Sequence, residues 1–456
     1  MGLGAAQVKT RFDGSQTDGK APDGKAPDGK APDGKDMVSP SPQSTGQKSA
    51  SRMSTSQNLV RRMAVERLLL TNFRSYAQAE IRAGAQPVVL TGANGAGKTN
   101  LLEALSFLMP GRGLRAARLT DVTRMNASAG GSAGANASGV NGWAVAATLQ
   151  GLEGEVSIGT GITGLDAGTA DAAEDAGIER RVVRIDGETQ GSAAVLGRHV
   201  RMVWLTPQMD GLFLDGASVR RRFLDRLTVA FHIGHGQQLN GYERAMRERN
   251  RLLAEGRMDP AWLKALESQM AEFGTAVAAA RQDTVLQLQA ALDMTEGAFP
   301  RARLALKGML EEALEDEPAV EVEDRFKAEL GALRRVDAAA GRATIGPHRT
   351  DLEAHHAPRE MPAALCSTGE QKALLLGITL ASARMIAAQT GLAPIVLLDE
   401  VAAHLDGNRR AALFDEICAL QAQVWLTGAD KGLFGGLEGK AMFFSVVNGA
   451  ILGPGS

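Results

Sequence analysis

Cysteine, aromatic side chains, net charge and long apolar runs are all scarce in this chain, and each scarcity removes a class of protein. Only two cysteines occur in 456 residues. Cys366 and Cys418 lie far apart and in no metal-ligand spacing, which argues against a disulfide scaffold or a zinc module and predicts a reduced, cytoplasmic protein. Lys and Arg number 50 against 52 Asp and Glu, a formal net charge of −2. The whole chain is therefore not a basic nucleic-acid binder, and any nucleic-acid site has to be a local patch. No apolar run approaches the ~20 residues of a membrane span, and residues 1–62 hold no apolar core of a secretory signal. Aromatics are 4% of the chain while glycines number 53, which predicts long flexible surface segments. What is present is 44% hydrophobic residues over this length, enough for a large core and two or three domains.

The strongest local signal is Gly92-Ala93-Asn94-Gly95-Ala96-Gly97-Lys98-Thr99, which fits G-x-x-x-x-G-K-[ST] at every fixed position. Pro87 to Leu90 reads as a buried strand before it. Thr99 to Leu108 reads as a helix after it, with Leu101, Leu102, Leu105 and Leu108 at helical spacing. Strand, glycine-rich turn and helix are the context the motif needs. Backbone N–H groups of such a turn cradle anions. Lys98 is placed to reach the outer phosphates of a nucleotide, with Thr99 on Mg²⁺.

Residues 1 to about 62 carry Lys20-Ala21-Pro22-Asp23-Gly24 and two repeats of it, then a Ser/Gln/Pro-rich stretch. That composition buries too little surface to offset chain entropy, so this segment is expected to be disordered. Met63 reads as a fresh start, and the tail before it as a dispensable extension or an overlong gene product. Val65–Thr71 and Ala79–Ile81 follow as strands, joined by Asn72-Phe73-Arg74-Ser75-Tyr76. That turn either brings Arg74 to phosphate or base, or is a solvated turn with Phe73 in the core. Arg112, Arg115 and Arg118 either meet nucleic-acid phosphate or form a solvated surface. Trp143–Leu149, Glu153–Ile158 and Arg180–Ile185 read as strands of a β-rich flap, interrupted by loops at Asn126–Gly142 and Gly159–Gly177. Val200–Leu205 is a further strand, with Gln208 just past its end.

From Gly216 the pattern turns helical, with Ser218 as a candidate cap. Helices are expected at Tyr242–Glu255 and Trp262–Gly297. Arg244, Arg247 and Arg251 share one helical face, which is either a phosphate-binding face or one paired with Glu243 and Glu248. Ile345-Gly346-Pro347-His348-Arg349 is a loop rich in groups that meet phosphate. Ser367-Thr368-Gly369-Glu370 opens a long helix, Ala373–Gln389, and offers a second anion site at a helix N-terminus. Pro394–Leu398 is an apolar strand ending in Asp399 and Glu400. Carboxylates at the carboxyl end of a buried parallel strand stand where ligands bind. Asp399 suits Mg²⁺, and Glu400 suits a water attacking the γ-phosphate. Asp406 follows. Thr427-Gly428-Ala429-Asp430 ends the next strand, where a γ-phosphate sensor is expected.

These residues together resemble the ATP-binding-cassette ATPases of the SMC class, and within it the RecF family, over Met63 to about Gly449. The RecF-like pieces are Asn72-Phe73-Arg74-Ser75-Tyr76, Ser218-Val219-Arg220-Arg221-Arg222-Phe223-Leu224-Asp225, Arg249-Asn250-Arg251-Leu252-Leu253 and Ile345-Gly346-Pro347-His348-Arg349. The long coiled coil of other SMC relatives is missing. The resemblance implies an α/β P-loop ATPase head of the ABC (RecA-like) type, built from residues 63–210 and 336–456, with a helical lobe over 211–335. It assigns Lys98 and Thr99 to Walker A, Asp399 and Glu400 to Walker B, Ser367 and Gly369 to the signature motif, Asp406 to the D-loop and Gln208 to the Q-loop. Lys98, Glu400 and Gln208 are then the catalytic set. Gly92 to Asn100 with Arg74, Ser367 and Gly369 form the nucleotide set, and Thr99 and Asp399 the metal set. It also implies ATP and Mg²⁺ as cofactors, slow hydrolysis and an ATP-driven homodimer. That dimer would sit on single-strand/double-strand DNA junctions and act with RecR and RecO in recombinational gap repair and the SOS response. A transporter-type ATPase subunit shares every ATPase motif and is the alternative. Two positions depart from the family: Gln208 stands where an acidic residue is common, and no histidine lies at the switch position near Thr427.

Overall fold

Four apolar runs, far apart in sequence, lie side by side at the centre of the molecule. A computed structural model describes residues 61–124, 142–151, 154–162, 181–256, 259–295 and 297–453. Its central sheet has six strands in the order Ala450–Leu452, Met442–Val447, Val88–Thr91, Val424–Gly428, Ile395–Leu398 and Met202–Leu205. All neighbours are parallel except the first pair. Strands covered on both faces need apolar residues at consecutive positions rather than alternate ones. Val88–Thr91, Ile395–Leu398 and Met202–Leu205 are accordingly buried at every residue.

A second six-stranded sheet is antiparallel throughout, ordered Tyr76–Arg82, Ala64–Phe73, Ala144–Gly151, Gly154–Gly161, Val182–Ile185 and Glu188–Gln190. This is the β-rich flap. The strand expected to stop at Ile158 continues to Gly161, because cross-strand partners from Ala144 to Ala146 carry the pairing past the sequence's glycines. The rest of the two expected loops, and the tail through residue 60, lie outside the described residues. Arg61 and Arg62, counted with that tail, pair in parallel with Leu392 and Ala393.

Three long helices, Ala217–Phe231, His235–Ala254 and Pro260–Asp293, follow the strand Met202–Leu205 along the chain. The first is capped by Gly216 without a side-chain bond, and Ser218 lies inside it rather than at its cap. The 34-residue helix Pro260–Asp293, about 50 Å long at 1.5 Å per residue, takes part in two apolar cores. Val285, Leu288 and Leu292 belong to the head core, which also holds the central strands. Leu263, Leu266, Met270 and Ala271 belong to a separate core with Tyr242, Leu252, Phe326 and Leu330. The helical lobe thus has its own interior, tied to the head through one continuous helix.

Two stretches read as candidate phosphate contacts spend several of their polar groups on protein partners. On the His235–Ala254 helix, Arg247 pairs with Glu243 at 3.3 Å and Arg251 with Glu248, while Arg244 is exposed, so two of the three arginines of that face are salt-bridged. The Ile345–Arg349 loop is folded into the lobe–head junction. Its Pro347 carbonyl accepts from Arg281 at 2.6 Å, and the His348 ring bonds the Tyr242 hydroxyl at 2.7 Å and the Ala343 carbonyl at 3.1 Å. Only the neighbouring Arg349 of these side chains is exposed. Burial holds His348 below its ordinary pKa, so it is neutral at pH 7.

Among the described residues one helix, Thr368–Thr390, is long and apolar enough by composition to cross a membrane. It has no uninterrupted apolar run, since Lys372 and Arg384 break it. In this fold it is a core helix whose apolar length packs in the head.

Candidate nucleotide site

The sheet order decides the site. Val88–Thr91 releases its chain into the glycine-rich turn, and Ile395–Leu398 releases Asp399 and Glu400. Between these two strands runs Val424–Gly428, with Thr427 at its carboxyl end. Ligands in parallel sheets collect at that edge.

The turn is shaped by close approaches. Gly92 has φ +151°, and a Cβ there would stand 2.2 Å from the Val446 carbonyl oxygen. Gly97 has φ +118°, and a Cβ there would meet the Tyr76 hydroxyl at 2.7 Å. Tyr76 is fully buried and its hydroxyl donates to the Gly97 carbonyl at 3.0 Å. Lys98 opens the helix Lys98–Ser106 and is curled back on the turn. Its Nζ donates to the carbonyls of Gly92 at 2.7 Å and Ala93 at 3.0 Å. Phosphate oxygens entering the turn would take those donors over. Ala93, Asn94 and Gly95 form the exposed tip, while Ala96 and Gly97 are buried under it.

Thr99 faces Asp399 across the sheet edge, its hydroxyl donating to Oδ1 at 3.0 Å. The Thr427 hydroxyl donates to the same oxygen at 2.7 Å. Burial raises the Asp399 pKa, the two hydroxyls oppose that rise, and neighbouring Glu400 adds to it. A hydroxyl and a carboxylate at one point are hard oxygen ligands that fit Mg²⁺. Glu400 occupies the left-handed region at φ +54°. A narrow cleft beside these acids is lined by Thr206, Pro207, Asp210, Lys372, Asp399 and His404. Gln208 is exposed in the short turn Pro207–Met209 and is not among those residues, while Asp210 pairs with Lys372 at 2.9 Å.

Arg74 sits behind the turn. Both of its outer contacts are to protein: Glu103 at 2.7 Å and the Asp121 carbonyl at 2.7 Å. Glu103, wholly buried on the Lys98–Ser106 helix, also takes Arg115 at 2.7 Å, and Arg115 reaches Asn100 at 2.9 Å. Phe73 is in the core against Phe107 and Trp143. One carboxylate therefore anchors two arginines of the sequence reading, and Arg112 and Arg118 are left at the surface. A lone acid on an amphipathic helix looks solvated, so the burial of Glu103 is not evident from the residue alone. Its cue was that it falls between Leu102 and Leu105 on the buried side.

Ser367 and Gly369 are placed elsewhere. Ser367 caps the Thr368–Thr390 helix in a reciprocal capping box with Glu370, and Glu370 also pairs with Arg359 at 2.5 Å. Ser367, Thr368 and Gly369 are exposed. Among the described residues, no hydrogen bond or ion pair joins 367–370 to the glycine-rich turn. Asp406 caps the next helix through the Arg409 N–H at 2.9 Å, and Arg409 lies against Gly369.

A glycine-rich turn and two acids at one edge of a parallel sheet, with an antiparallel flap beside it and a separate exposed helix start, define an ATP-binding-cassette ATPase head of the SMC type. Residues 64–158 match the model of the RecF/RecN/SMC N-terminal domain. The DNA replication and repair protein RecF of Agrobacterium fabrum is 48% identical over 86% of this chain and 99% of its own length. The RecF of Mesorhizobium japonicum is 50% identical over 86% of this chain and 97% of its own. A solved structure described as the recombination mediator protein RecF-ATPrS in the RecFOR pathway aligns with TM-score 0.71 at 19% identity, covering 86% of this chain and 98% of that one. The fold is therefore shared with it. The chain belongs to the RecF family of DNA replication and repair proteins.

Proposed function

We propose that this chain binds ATP with Mg²⁺ between two copies of itself, and that the ATP-held dimer clamps DNA at single-strand/double-strand junctions. Slow hydrolysis then releases the clamp. The observation that carries the reading is the division of the site. Thr99, Asp399, Glu400 and Lys98 converge on one edge of the sheet, while Ser367 and Gly369 stand exposed on a helix start with no bond to that edge. A second copy can bring its Ser367 and Gly369 to the phosphates held by the first. The solved RecF structures named with ATP and with ATPrS support the choice of nucleotide.

In this reading Lys98 exchanges the carbonyls of Gly92 and Ala93 for the outer phosphates. Thr99 and Asp399 hold Mg²⁺, which neutralises charge on those phosphates when bound. Glu400 orients the attacking water. The names of the relatives favour DNA over a membrane partner. Loading of recombinase with RecR and RecO, in the cytoplasm, completes the proposal. DNA contact is through the backbone, from local arginine patches such as Arg112 and Arg118, since the chain as a whole is not basic.

The test is DNA binding with and without ATP across a salt series, alongside the mass of the protein in solution. ATP should shift the protein to a dimer, and DNA affinity should fall steeply with salt, by about 10³-fold or more between 50 and 200 mM if several phosphates are engaged. Glu400→Gln should trap the dimer. A protein that stays monomeric with ATP and Mg²⁺ at high concentration, in the Glu400→Gln form as well, overturns the clamp.

A further inference from the structure

Thr427 is the one hydroxyl-bearing side chain in the strand Val424–Gly428, and it is buried, at 1% exposure. Its hydroxyl makes two bonds of opposite sense. The Glu400 backbone N–H donates to its oxygen at 2.8 Å, and the hydroxyl proton goes to Asp399 Oδ1 at 2.7 Å. A threonine hydroxyl has one proton, and an ionised carboxylate can only accept, so this arrangement admits a single orientation. Asp399 Oδ1 takes Thr99 as well. Thr99, Asp399, Thr427 and Glu400 are thus joined in one chain of hydrogen bonds, running from the glycine-rich turn to the water-orienting acid.

Two consequences follow from that chain. When Thr99 turns to a metal, Asp399 loses one of its two hydroxyl donors, and Thr427 is left to fix the carboxylate. Glu400 is held at φ +54°, a backbone region that non-glycine residues occupy at a cost unless the surroundings hold them there. The N–H bond to Thr427 does this, at the residue whose side chain has to be aimed.

From this geometry we infer that Thr427 is a positioning residue for ATP hydrolysis, which fixes the metal-binding carboxylate and the backbone of the water-orienting glutamate through one hydroxyl. The inference rests on the roles given to Asp399 and Glu400 above. It gives a function to the strand end where the family's switch histidine is missing, with Thr427 acting beneath the reacting groups and touching no substrate.

The test compares Thr427→Val, Thr427→Ser and Glu400→Gln in the full chain. Thr427→Val keeps the shape and removes the hydroxyl. It should lower the hydrolysis rate about 10- to 100-fold, the usual effect of losing a group that orients a metal ligand, and raise the Mg²⁺ concentration needed for half-maximal rate. ATP affinity measured without metal should be unchanged, because the glycine-rich turn and Lys98 are untouched. Thr427→Ser should restore both rate and Mg²⁺ requirement. If valine prevents folding, Thr427→Ala carries the same comparison. Wild-type rate and Mg²⁺ requirement in the valine or alanine variant, with Glu400→Gln inactive beside it, overturn the role of Thr427 alone. A fall in melting temperature and metal-free ATP affinity with no shift in Mg²⁺ requirement also overturns it, in favour of a merely structural threonine. Normal turnover by Glu400→Gln would instead sink the assignment of the acids on which the inference stands.

Discussion

Arg249 and Asp337 meet at 2.7 Å in the centre of the helical lobe, both side chains fully buried. The same guanidinium reaches Glu267 at 3.1 Å and the Leu330 carbonyl at 2.6 Å. Asp337 in turn accepts from the Thr344 backbone and hydroxyl, so one arginine ties its own helix to three others and, through Asp337, to the return to the head. Buried ion pairs add little net stability over apolar packing, but removing one partner strands the other. Arg249→Ala should therefore cost about 3–5 kcal/mol, read as a lowered denaturation midpoint. Arg249→Lys should also destabilise, since a single ammonium cannot reproduce the planar fork. A loss smaller than about 1 kcal/mol for the alanine variant would be that of an exposed pair, and would remove Arg249 from the lobe's framework.

Gly92 makes a sharper case than the other glycines of the turn. Its would-be Cβ meets backbone, the Val446 carbonyl oxygen at 2.2 Å, and not a side chain that can swing away. Gly92→Ala should shift the turn against the strand Met442–Val447 and remove ATP binding, measured by calorimetry. Gly95 has only open space around it, so Gly95→Ala should retain part of the affinity despite its positive φ. Equal loss from both variants would mean that φ, and not the Val446 contact, sets the requirement.

Asp399 gives a pH dependence with two opposite signs. Its folded pKa is raised, chiefly by burial. Mg²⁺ needs the ionised form, so Mg²⁺ affinity should weaken as pH falls through that raised value, above the ordinary 3.8. For the metal-free fold, a raised carboxylate pKa means that the native state holds the proton more tightly than the unfolded chain. The stabilising contribution of Asp399 is then complete at low pH and lost as pH rises through the folded pKa. Mg²⁺ titrations and metal-free melts over a pH series should diverge in this way. Asp399→Asn should abolish the pH trend of Mg²⁺ binding, and a trend that survives the substitution would assign it to another group.

The parts of the molecule legible in the sequence were those with a local cause. The glycine-rich turn was read from spacing, and the central strands from unbroken apolar runs such as Ile395–Leu398. The helices were read from their periodicity, with ends off by up to seven residues, as at Gly216, Asp293 and His235, where the helix expected from Tyr242 begins. Buried polar partners were not legible. Arg249, Arg74 and Arg115 look like surface cations in one dimension. The acids that hold them, Asp337 and Glu103, are 88 and up to 29 positions away. The Ile345–Arg349 loop is of the same kind: its Pro347 carbonyl and His348 ring face Arg281 and Tyr242, which only the packed lobe brings to it, while Arg349 is exposed.

By itself the sequence determined that a phosphate-binding turn, a pair of acids and a second helix start exist, because each depends on neighbours within a few residues. Only the tertiary structure decided which of them meet. Parallel strands must pair across long crossovers, and their order, with Val424–Gly428 between the turn and the acids, sets Thr427 between Thr99 and Glu400. The same packing leaves Ser367 and Gly369 on the outside, since a core helix of 23 residues can bury its apolar length only by keeping its capped end at the surface.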